Sequence, residues 1–198
     1  MLPGFEPRYN IAPSQDQWAI ALDAAASPAV RQLKWGLIPA WANDPSIGSR
    51  MINARAETLA SKPAWEFSVR KRRCLILADG YYEWATIGKT RIPYFFHLSE
   101  HRPFVLAGLW DRWEREGDAI DTCTIITVEA GPRGAAVHHR MPVVFAMDAA
   151  QEWLDESTRV HRALELLRPY EDELESYQVS TYVNTPANDS PECIARVA

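Results

Sequence analysis

The stretch "PFVLAGLWDRWEREGDAIDTCTIITVEA" (residues 103–130) decides the fold class, because two β-rich runs lie on either side of a turn signal. The runs are 103–113 and 121–130, and Gly117 lies between them. Further runs with strand character lie at 17–22, 30–41, 73–84, 88–98, 141–145 and 176–184. The sequence therefore predicts a protein built mainly from strands.

Helical patterns are fewer and shorter. Clear ones lie at 147–155 and 160–174, the second with leucines near helical spacing, and 53–72 looks helical in short pieces broken at Pro63. No regular alternation of strand and helix is present, so a parallel βαβ fold is not predicted. We expect one α+β domain over 1–198, with a mainly antiparallel, curved, barrel-like sheet, short peripheral helices and an irregular tail after residue 184.

Composition restricts the class of protein. The 198 residues are 47% apolar and 24% charged, as in ordinary soluble domains. No apolar run reaches the ~18–20 residues of a membrane helix, and the N-terminus shows no basic region followed by an apolar stretch, so we expect no signal peptide. Three cysteines without a CxxC pair disfavour a disulfide scaffold or structural zinc. We expect a cytoplasmic monomer with no membrane attachment and no metal or other cofactor.

Charge is distributed unevenly along the chain. The net charge of −5 argues against coating nucleic acid through bulk charge. Basic residues nevertheless concentrate in 50–73, and acidic residues concentrate in 148–175. A solvent-exposed face would account for each run. The separation of basic from acidic residues along the chain also allows one positively charged surface, or positive wall.

The segment "MINARAET" (51–58) carries polar residues at alternate positions, namely Asn53, Arg55 and Glu57. In a strand these three side chains would share one face. Two interpretations remain open from the pattern alone. The row is a solvated edge, or it is a constellation that orients a phosphate or a nucleophile.

The segment "ADGYYEW" (78–84) places Glu83 between Tyr82 and Trp84 after a buried strand. A carboxylate flanked by aromatic rings is partly desolvated, which raises its pKa toward the range of a general acid or base. The alternative is a glutamate that faces water on an alternating strand.

The segment "AVHHRMPVVF" (136–145) contains His138, His139 and Arg140. Adjacent histidines in an extended segment point to opposite faces, and neither HExxH nor a cysteine pair accompanies them, so a shared zinc ion is disfavoured. A proton-transferring histidine beside an anion-binding arginine fits these residues better. A purely structural histidine is the alternative.

Five segments taken in order resemble the SOS-response-associated peptidase (SRAP) family: "RYNIAP" (8–13), "WGLIPAW" (35–41), "INARAET" (52–58), "ADGYYEW" (78–84) and "HHRMPVV" (138–144). The resemblance covers nearly the whole chain. It implies a mixed α/β domain with a barrel-like core and a groove for single-stranded DNA. The implied activity is covalent capture of abasic sites in DNA repair, at the nucleoid of a bacterial cell, after a peptidase-like self-processing step exposes an N-terminal cysteine.

Residue by residue, the resemblance implies a catalytic trio of Asn53, Glu83 and His138. It also implies five DNA contacts: Arg55 and Arg140 at phosphates, Trp41 as a wedge that stacks on bases, and Trp84 and Thr127 as walls of the pocket. Some relatives carry two consecutive tryptophans at the wedge, where this chain has Trp41 followed by Ala42.

The beginning of the chain departs from the family pattern, because Leu2 follows Met1 where the family has Met-Cys-Gly-Arg. Cys74 and Cys123 lie in apolar strands as small core residues, and Cys193 lies near the expected loose tail. Two explanations stay open. Either the natural chain begins further upstream, or covalent capture by cysteine has been lost and DNA binding, or a lyase-like reaction through another amine, remains.

Three rival functions are compatible with the sequence alone. One is a DNA-binding module without catalysis. The second is a cysteine peptidase that acts on other proteins, and the third is a zinc hydrolase built on Glu83, His138 and His139.

Overall fold

The computed structural model describes residues 6–170 and 172–197. Within these ranges the strands are β1 (Asp16–Leu22), β2 (Pro28–Trp35), β3 (Asn53–Arg55), β4 (Arg73–Ala78), β5 (Tyr81–Ile87), β6 (Thr90–Leu98), β7 (Phe104–Arg115), β8 (Asp118–Glu129), β9 (Arg140–Pro142), β10 (Val144–Phe145) and β11 (Leu174–Gln178). The α-helices are α1 (Pro63–Lys71), α2 (Pro132–Ala135), α3 (Met147–Leu154) and α4 (Val160–Glu165). Short 3₁₀ helices span Pro45–Arg50, Ala56–Thr58, Ser99–His101, Thr181–Asn184 and Pro191–Ile194.

Five strands close a barrel in the order β1, β2, β8, β7, β4 and back to β1. The β2–β8 pair is parallel and the other four pairs are antiparallel. Alternate residues of the strands, among them Leu33, Cys74 and Ile76, fill the interior and are almost fully buried. The expected α+β fold with a barrel-like, mainly antiparallel core is confirmed.

Two short strands extend the barrel beside the second half of β8. Thr127 of β8 pairs with Arg55 of β3 and also with Pro142 of β9. Because a strand residue has two edges, β3 and β9 must lie on opposite edges of β8. The polar segments 51–58 and 136–145 are therefore brought to the same end of one strand.

A separate three-stranded sheet is formed by β11, β6 and β5 in that order. The chain passes from β4 into this sheet through Gly80. A Cβ atom added to Gly80 would lie 2.1 Å from the ring of Phe95 and 2.9 Å from the carbonyl oxygen of Phe96. Any side chain would clash at so close an approach, so this position requires glycine. The glycine fixes where β5 begins and therefore where Glu83 lies.

The outer face of β4 and β7 is covered by α1 and α3. Trp153 of α3 is completely buried and donates its indole N–H to the carbonyl oxygen of Cys74 at 3.0 Å. Arg73 is also buried, and its guanidinium donates to backbone carbonyls of Val69, Trp153 and Asp155. The last arginine of the basic run therefore joins α1 to α3 and does not face solvent.

Two of the predicted elements end elsewhere than expected. The helix predicted over 160–174 stops at Glu165, and Leu174 instead begins β11, because pairing opposite Leu98 buries it. Residue 171 of that range lies outside the described residues. The strand predicted over 176–184 ends at Gln178, and Thr181–Asn184 is a 3₁₀ helix.

Two further differences come from proline and glycine. Pro63 begins α1 and does not break a helix, since the first turn of a helix needs no N–H donor there. The strand predicted over 30–41 ends at Trp35, because Gly36 adopts φ +126° and packs against the backbone of Gly48.

The segment after residue 184 packs onto the three-stranded sheet. It contains the 3₁₀ helix Pro191–Ile194, and Val179 forms a β-bridge with Arg196. Cys193 is completely buried, so its expected place near a loose tail is wrong. Met1 and Leu2 lie outside the described residues. Among the described residues, no helix is long and apolar enough to span a membrane.

Candidate active site

Glu83 and His138 meet across the boundary between the two sheets. Glu83 lies in the middle of β5, and His138 lies in the turn between α2 and β9. The Oε2 atom of Glu83 is 3.5 Å from Nδ1 of His138. About one quarter of the Glu83 side chain and one third of the His138 side chain are exposed, so the pair is open to a ligand.

Burial raises the pKa of Glu83 above its ordinary value, and attraction to His138 opposes that rise. A raised pKa for Glu83 was also expected from the sequence. The aromatic neighbours that were expected to cause it, Tyr82 and Trp84, do not surround the carboxyl group. Residues alternate across β5, so Tyr82 and Trp84 point to the face opposite Glu83. There they pack on a second apolar cluster that includes Phe95 and Val183.

Trp84 consequently does not line the side of β5 that carries Glu83, which corrects its expected place as a wall of that pocket. Its indole Nε1 donates to Oδ1 of Asn184 at 2.8 Å, and the guanidinium of Arg91 lies 5.5 Å from the ring centroid. Arg91 and Asn184 are polar neighbours that the sequence analysis did not single out.

His138 is held by the turn that ends α2. Its backbone N–H donates to the carbonyl oxygen of Gly134 at 2.9 Å. Its ring atom Nδ1 lies 3.2 Å from the carbonyl oxygen and 3.3 Å from the backbone nitrogen of Arg140. Because the chain turns here, the rings of His138 and His139 are 4.4 Å apart, and the expectation that they point to opposite faces is wrong.

Arg140 is already engaged by a carboxylate. Its Nη1 and Nη2 donate to Oε1 and Oε2 of Glu57 at 2.7 and 3.0 Å, and Nη2 also donates to the carbonyl oxygen of Thr127 at 2.5 Å. Only 16% of the Arg140 side chain is exposed. A phosphate that reached Arg140 would have to share this guanidinium with Glu57, which qualifies its expected role as a phosphate contact.

Asn53 and Arg55 lie on the exposed face of β3, and Ala54 between them is buried. The alternation predicted for this segment is therefore present over three residues, and Glu57 then lies in a 3₁₀ helix. Arg55 stands in register with Thr127, whose side chain is buried. Asn53, Arg55 and Glu57 thus approach β8 from the edge opposite the strand that follows His138.

These segments, in this order and on this fold, match a family model described as SOS response associated peptidase (SRAP) over residues 2–186. The chain belongs to the SRAP family. It is 43% identical over 194 residues to abasic site processing protein YoqW of Bacillus subtilis, with 96% of this chain and 86% of the relative covered. It is 33% identical over 226 residues to abasic site processing protein HMCES of Gallus gallus, with 98% of this chain and 67% of that relative covered.

A solved structure of a protein from Bacteroides thetaiotaomicron is similar to this SRAP chain with a TM-score of 0.85. The two are 27% identical, and the match covers 93% of this chain and 82% of that one. The barrel and the three-stranded sheet that position Glu83 and His138 are thus features of a fold seen in a solved relative.

The SRAP chain presents Trp41 on a loop fixed by β7. Trp41 is 60% exposed, while its neighbour Ala42 is buried. Asp111 accepts from the backbone N–H of Ala40 at 2.9 Å, and Ala42 accepts from Nε1 of Trp113 at 2.9 Å. The loop is anchored on both sides of Trp41, so the single tryptophan is held out into solvent.

The motif "RYN" of the SRAP chain has a structural role that the sequence analysis missed. The side-chain amide of Asn10 donates to the carbonyl oxygens of Val183, Thr185 and Asn188 at 3.0, 3.2 and 3.0 Å. Asp189 accepts from the backbone N–H of Tyr9 and of Asn10, and also pairs with Arg8. We call this set of contacts the Asn10 clasp.

The three cysteines of the SRAP chain are all buried. Burial raises the pKa of the Cys74 thiol well above its ordinary value and that of Cys123 to about 12. A cysteine peptidase needs a thiolate at an accessible position, so neither cysteine suits that rival function. The described residues also contain no group of three His, Cys, Asp or Glu side chains able to hold a metal ion.

The last four residues of the basic run, 70–73, do not build one positive wall in the SRAP chain. Arg70 pairs with Glu66 at 3.1 Å, Lys71 lies 3.9 Å from Glu156, and Arg72 pairs with the buried Asp111. Arg72 and the buried Arg73 thus tie α1 to the barrel, whereas the two exposed pairs contribute little to stability. Arg55, earlier in the same run, instead lies on the exposed face of β3.

Proposed function

We propose that this protein recognises abasic sites in single-stranded DNA and captures their aldehyde, with Glu83 and His138 as the pair that transfers protons. The observation that carries the proposal is the 3.5 Å contact between a carboxyl group of raised pKa and an imidazole, in a place open to solvent. The names of the relatives, abasic site processing proteins, support the choice of substrate.

The chemistry of an abasic sugar explains why such a pair is needed. The closed sugar must open before it presents an aldehyde, which requires a proton on the ring oxygen and loss of a proton from the hydroxyl at C1′. A buried carboxyl group such as Glu83 retains its proton to a higher pH and can donate it, while the imidazole of His138 accepts one. The amide of Asn53 would orient the attacking amine.

Capture itself forms a carbon–nitrogen bond. A free amine attacks C1′, and loss of water leaves an imine. An α-amino group, with a pKa of ~7.7–8.0, is far more often unprotonated near neutral pH than a lysine at ~10.4. If the reacting residue is an N-terminal cysteine, its thiol adds to the imine carbon and closes a thiazolidine ring. Hydrolysis of the peptide bond that precedes such a cysteine is the self-processing step.

DNA would be held by groups beside the pair. Arg55 is the exposed cation of β3 and is suited to a phosphate, and Trp41 is suited to stacking on an unpaired base. We propose that the chain acts as a monomer in the cytoplasm and prefers single-stranded to duplex DNA, since a base must be unstacked before it can meet Trp41.

The test is a crosslinking assay with a single-stranded oligonucleotide that carries one abasic site. One arm is run directly on a denaturing gel, and a second is treated with borohydride, which reduces an imine to a stable amine. We expect a denaturation-resistant band in at least one arm. An oligonucleotide with a tetrahydrofuran residue, which has no aldehyde, should bind but give no band in either arm.

Glu83→Gln should slow capture by about 100-fold or more while DNA affinity stays within about twofold, because a general acid contributes roughly 10²–10⁴ in rate. A matched control is Glu114→Gln, whose side chain is exposed on the β7–β8 hairpin. Equal capture rates for Glu83→Gln and wild type would contradict the role given to Glu83.

A second candidate function is a DNA-binding module without catalysis. The burial of Cys74, Cys123 and Cys193 favours it, since none of these thiols reaches solvent to react with DNA. Its signature is a salt-sensitive shift with abasic DNA and no covalent band in either arm of the assay.

A further inference from the structure

The Glu57–Arg140 pair ties together the segments on both edges of β8. Glu57 lies in the 3₁₀ helix that directly follows β3, and Arg140 is the first residue of β9. The guanidinium holds both carboxylate oxygens of Glu57 and also donates to the carbonyl oxygen of Thr127 in β8. One side chain therefore links β3, β8 and β9 at the end of the barrel where the candidate site lies.

Arg140 depends on the charge of Glu57, because Arg140 is the largely buried member of the pair. The Arg140 side chain is 16% exposed, and a guanidinium so far from water requires a compensating negative charge. The two parallel hydrogen bonds match the planar fork of arginine to a carboxylate. They lower the pKa of Glu57, which keeps its charge through the neutral range.

Arg140 is also in contact with His138. The ring atom Nδ1 of His138 lies 3.2 Å from the carbonyl oxygen of Arg140 and 3.3 Å from its backbone nitrogen. The same ring atom lies 3.5 Å from Oε2 of Glu83. A shift of the Arg140 backbone therefore changes the distance and angle between the imidazole and the carboxyl group.

We propose that Glu57 is a positioning residue, which holds Arg140 in place and through it sets His138 against Glu83. This inference rests on the proposed function of the Glu83–His138 pair. Glu57 itself touches neither the sugar nor the amine. Its removal leaves a largely buried arginine without its anion, so the start of β9 relaxes and the imidazole moves away from its partner.

The first test separates capture from binding. At saturating abasic oligonucleotide, Glu57→Ala should lower the capture rate by about 10- to 100-fold, as expected for misplacement of a reacting group by about 1 Å. The oligonucleotide concentration that gives half-maximal rate should change by less than about threefold. Glu57→Gln, which keeps the shape and one acceptor oxygen, should recover part of the rate and guards against a variant that fails to fold.

A double variant tests whether the two residues act as one unit. Glu57→Ala combined with Arg140→Ala should lower the saturating rate no further than the more damaging single change, because both remove the same link. Additive losses would overturn the proposal. So would a loss in Glu57→Ala that lies wholly in DNA affinity, since that result would make Glu57 part of the DNA-binding surface.

A spectroscopic test does not depend on capture. The imidazole resonances of His138 should shift in Glu57→Ala, whereas those of His161, which is exposed on α4, should not. Unchanged His138 resonances would overturn the inference even if capture were slow. If the wild-type protein shows no capture at all, the proposed function fails, and the His138 resonances still decide whether Glu57 positions that ring.

Discussion

Oε2 of Glu83 lies 3.5 Å from Nδ1 of His138, and this contact joins two different sheets. Glu83 belongs to the sheet of β11, β6 and β5, whereas His138 precedes β9, which pairs with the barrel strand β8. The geometry of the pair therefore depends on how the smaller sheet docks on the barrel. Residues that fix this docking are expected to affect activity although they do not touch DNA.

The raised pKa of Glu83 predicts how stability responds to pH. A carboxyl group whose pKa is higher in the folded than in the unfolded chain stabilises the fold below its ordinary value of 4.5, and that contribution is lost as pH rises through the folded pKa. Glutamine cannot ionise. Wild type should therefore lose stability relative to Glu83→Gln as pH rises above that ordinary value and through the raised folded-state pKa, measured by urea unfolding.

The charged groups that face Glu83 are His138 and Arg91, and both favour its ionised form. They are present in wild type and in Glu83→Gln, so the difference between the two proteins reports the carboxyl group together with its coupling to these two neighbours. If wild type instead gains stability relative to Glu83→Gln as pH rises, attraction to His138 outweighs the cost of burial, and the assigned direction is wrong.

Arg55→Ala should weaken binding of single-stranded DNA and make its salt dependence shallower. Each phosphate neutralised on a single strand contributes a slope of about 0.7 in a plot of log affinity against log salt concentration. Fluorescence anisotropy at several salt concentrations measures that slope. Arg168→Ala is the control, because Arg168 is exposed just beyond α4 and should leave the slope unchanged. An equal effect of both changes would show that Arg55 contributes only bulk charge.

Trp41→Ala should reduce affinity for single-stranded DNA without destabilising the protein. Stacking on one base contributes about 1–3 kcal/mol, which corresponds to roughly 5- to 150-fold in affinity. The free energy of unfolding should change by less than about 0.5 kcal/mol, since Trp41 is 60% exposed. Phe67→Ala, which removes another exposed ring on α1, should not affect binding. If Trp41→Ala binds single-stranded DNA as tightly as wild type does, Trp41 does not stack on a base and its proposed role is wrong.

Asn10→Ala should destabilise the fold, because it removes three hydrogen bonds of a buried side chain at the Asn10 clasp. Leaving these carbonyl oxygens without their donor should cost about 2–4 kcal/mol. For a chain of this size the thermal midpoint should fall by about 5–15 °C. The control Asn43→Ala removes an exposed amide bonded to Arg115 and should change stability little. A similar midpoint in both variants would contradict the role given to Asn10.

Most strands were predictable because each contains a short run rich in β-branched, aromatic and other apolar residues. Closure of the barrel by β2 and β8 was not predictable, since the parallel pairing of Lys34 with Thr122 joins segments far apart in sequence. Periodicity reports which face a residue occupies and contains no information about which strand becomes its neighbour. Leu174 illustrates the same limit, because its helical spacing was real but pairing with Leu98 placed it in a strand.

The candidate site was predictable only through the order of its motifs. Glu83 and His138 were named from that order, and their contact followed from the fold. The engagement of Arg140 by Glu57 was missed because the two residues lie on different segments, although each was recognised as polar. The direction of Trp84 could have been found, since adjacent residues of a strand point to opposite faces.

The parallel pairing of β2 with β8 has a consequence for synthesis of the chain. One edge of β2 is covered by β1 as soon as both are made, but the other edge waits for Thr122 and Cys123 of β8. Contacts between such distant segments form slowly because a long loop must first be closed. We expect the nascent chain to expose an open strand edge until more than half of it has left the ribosome, which is the interval when chaperones would be needed most.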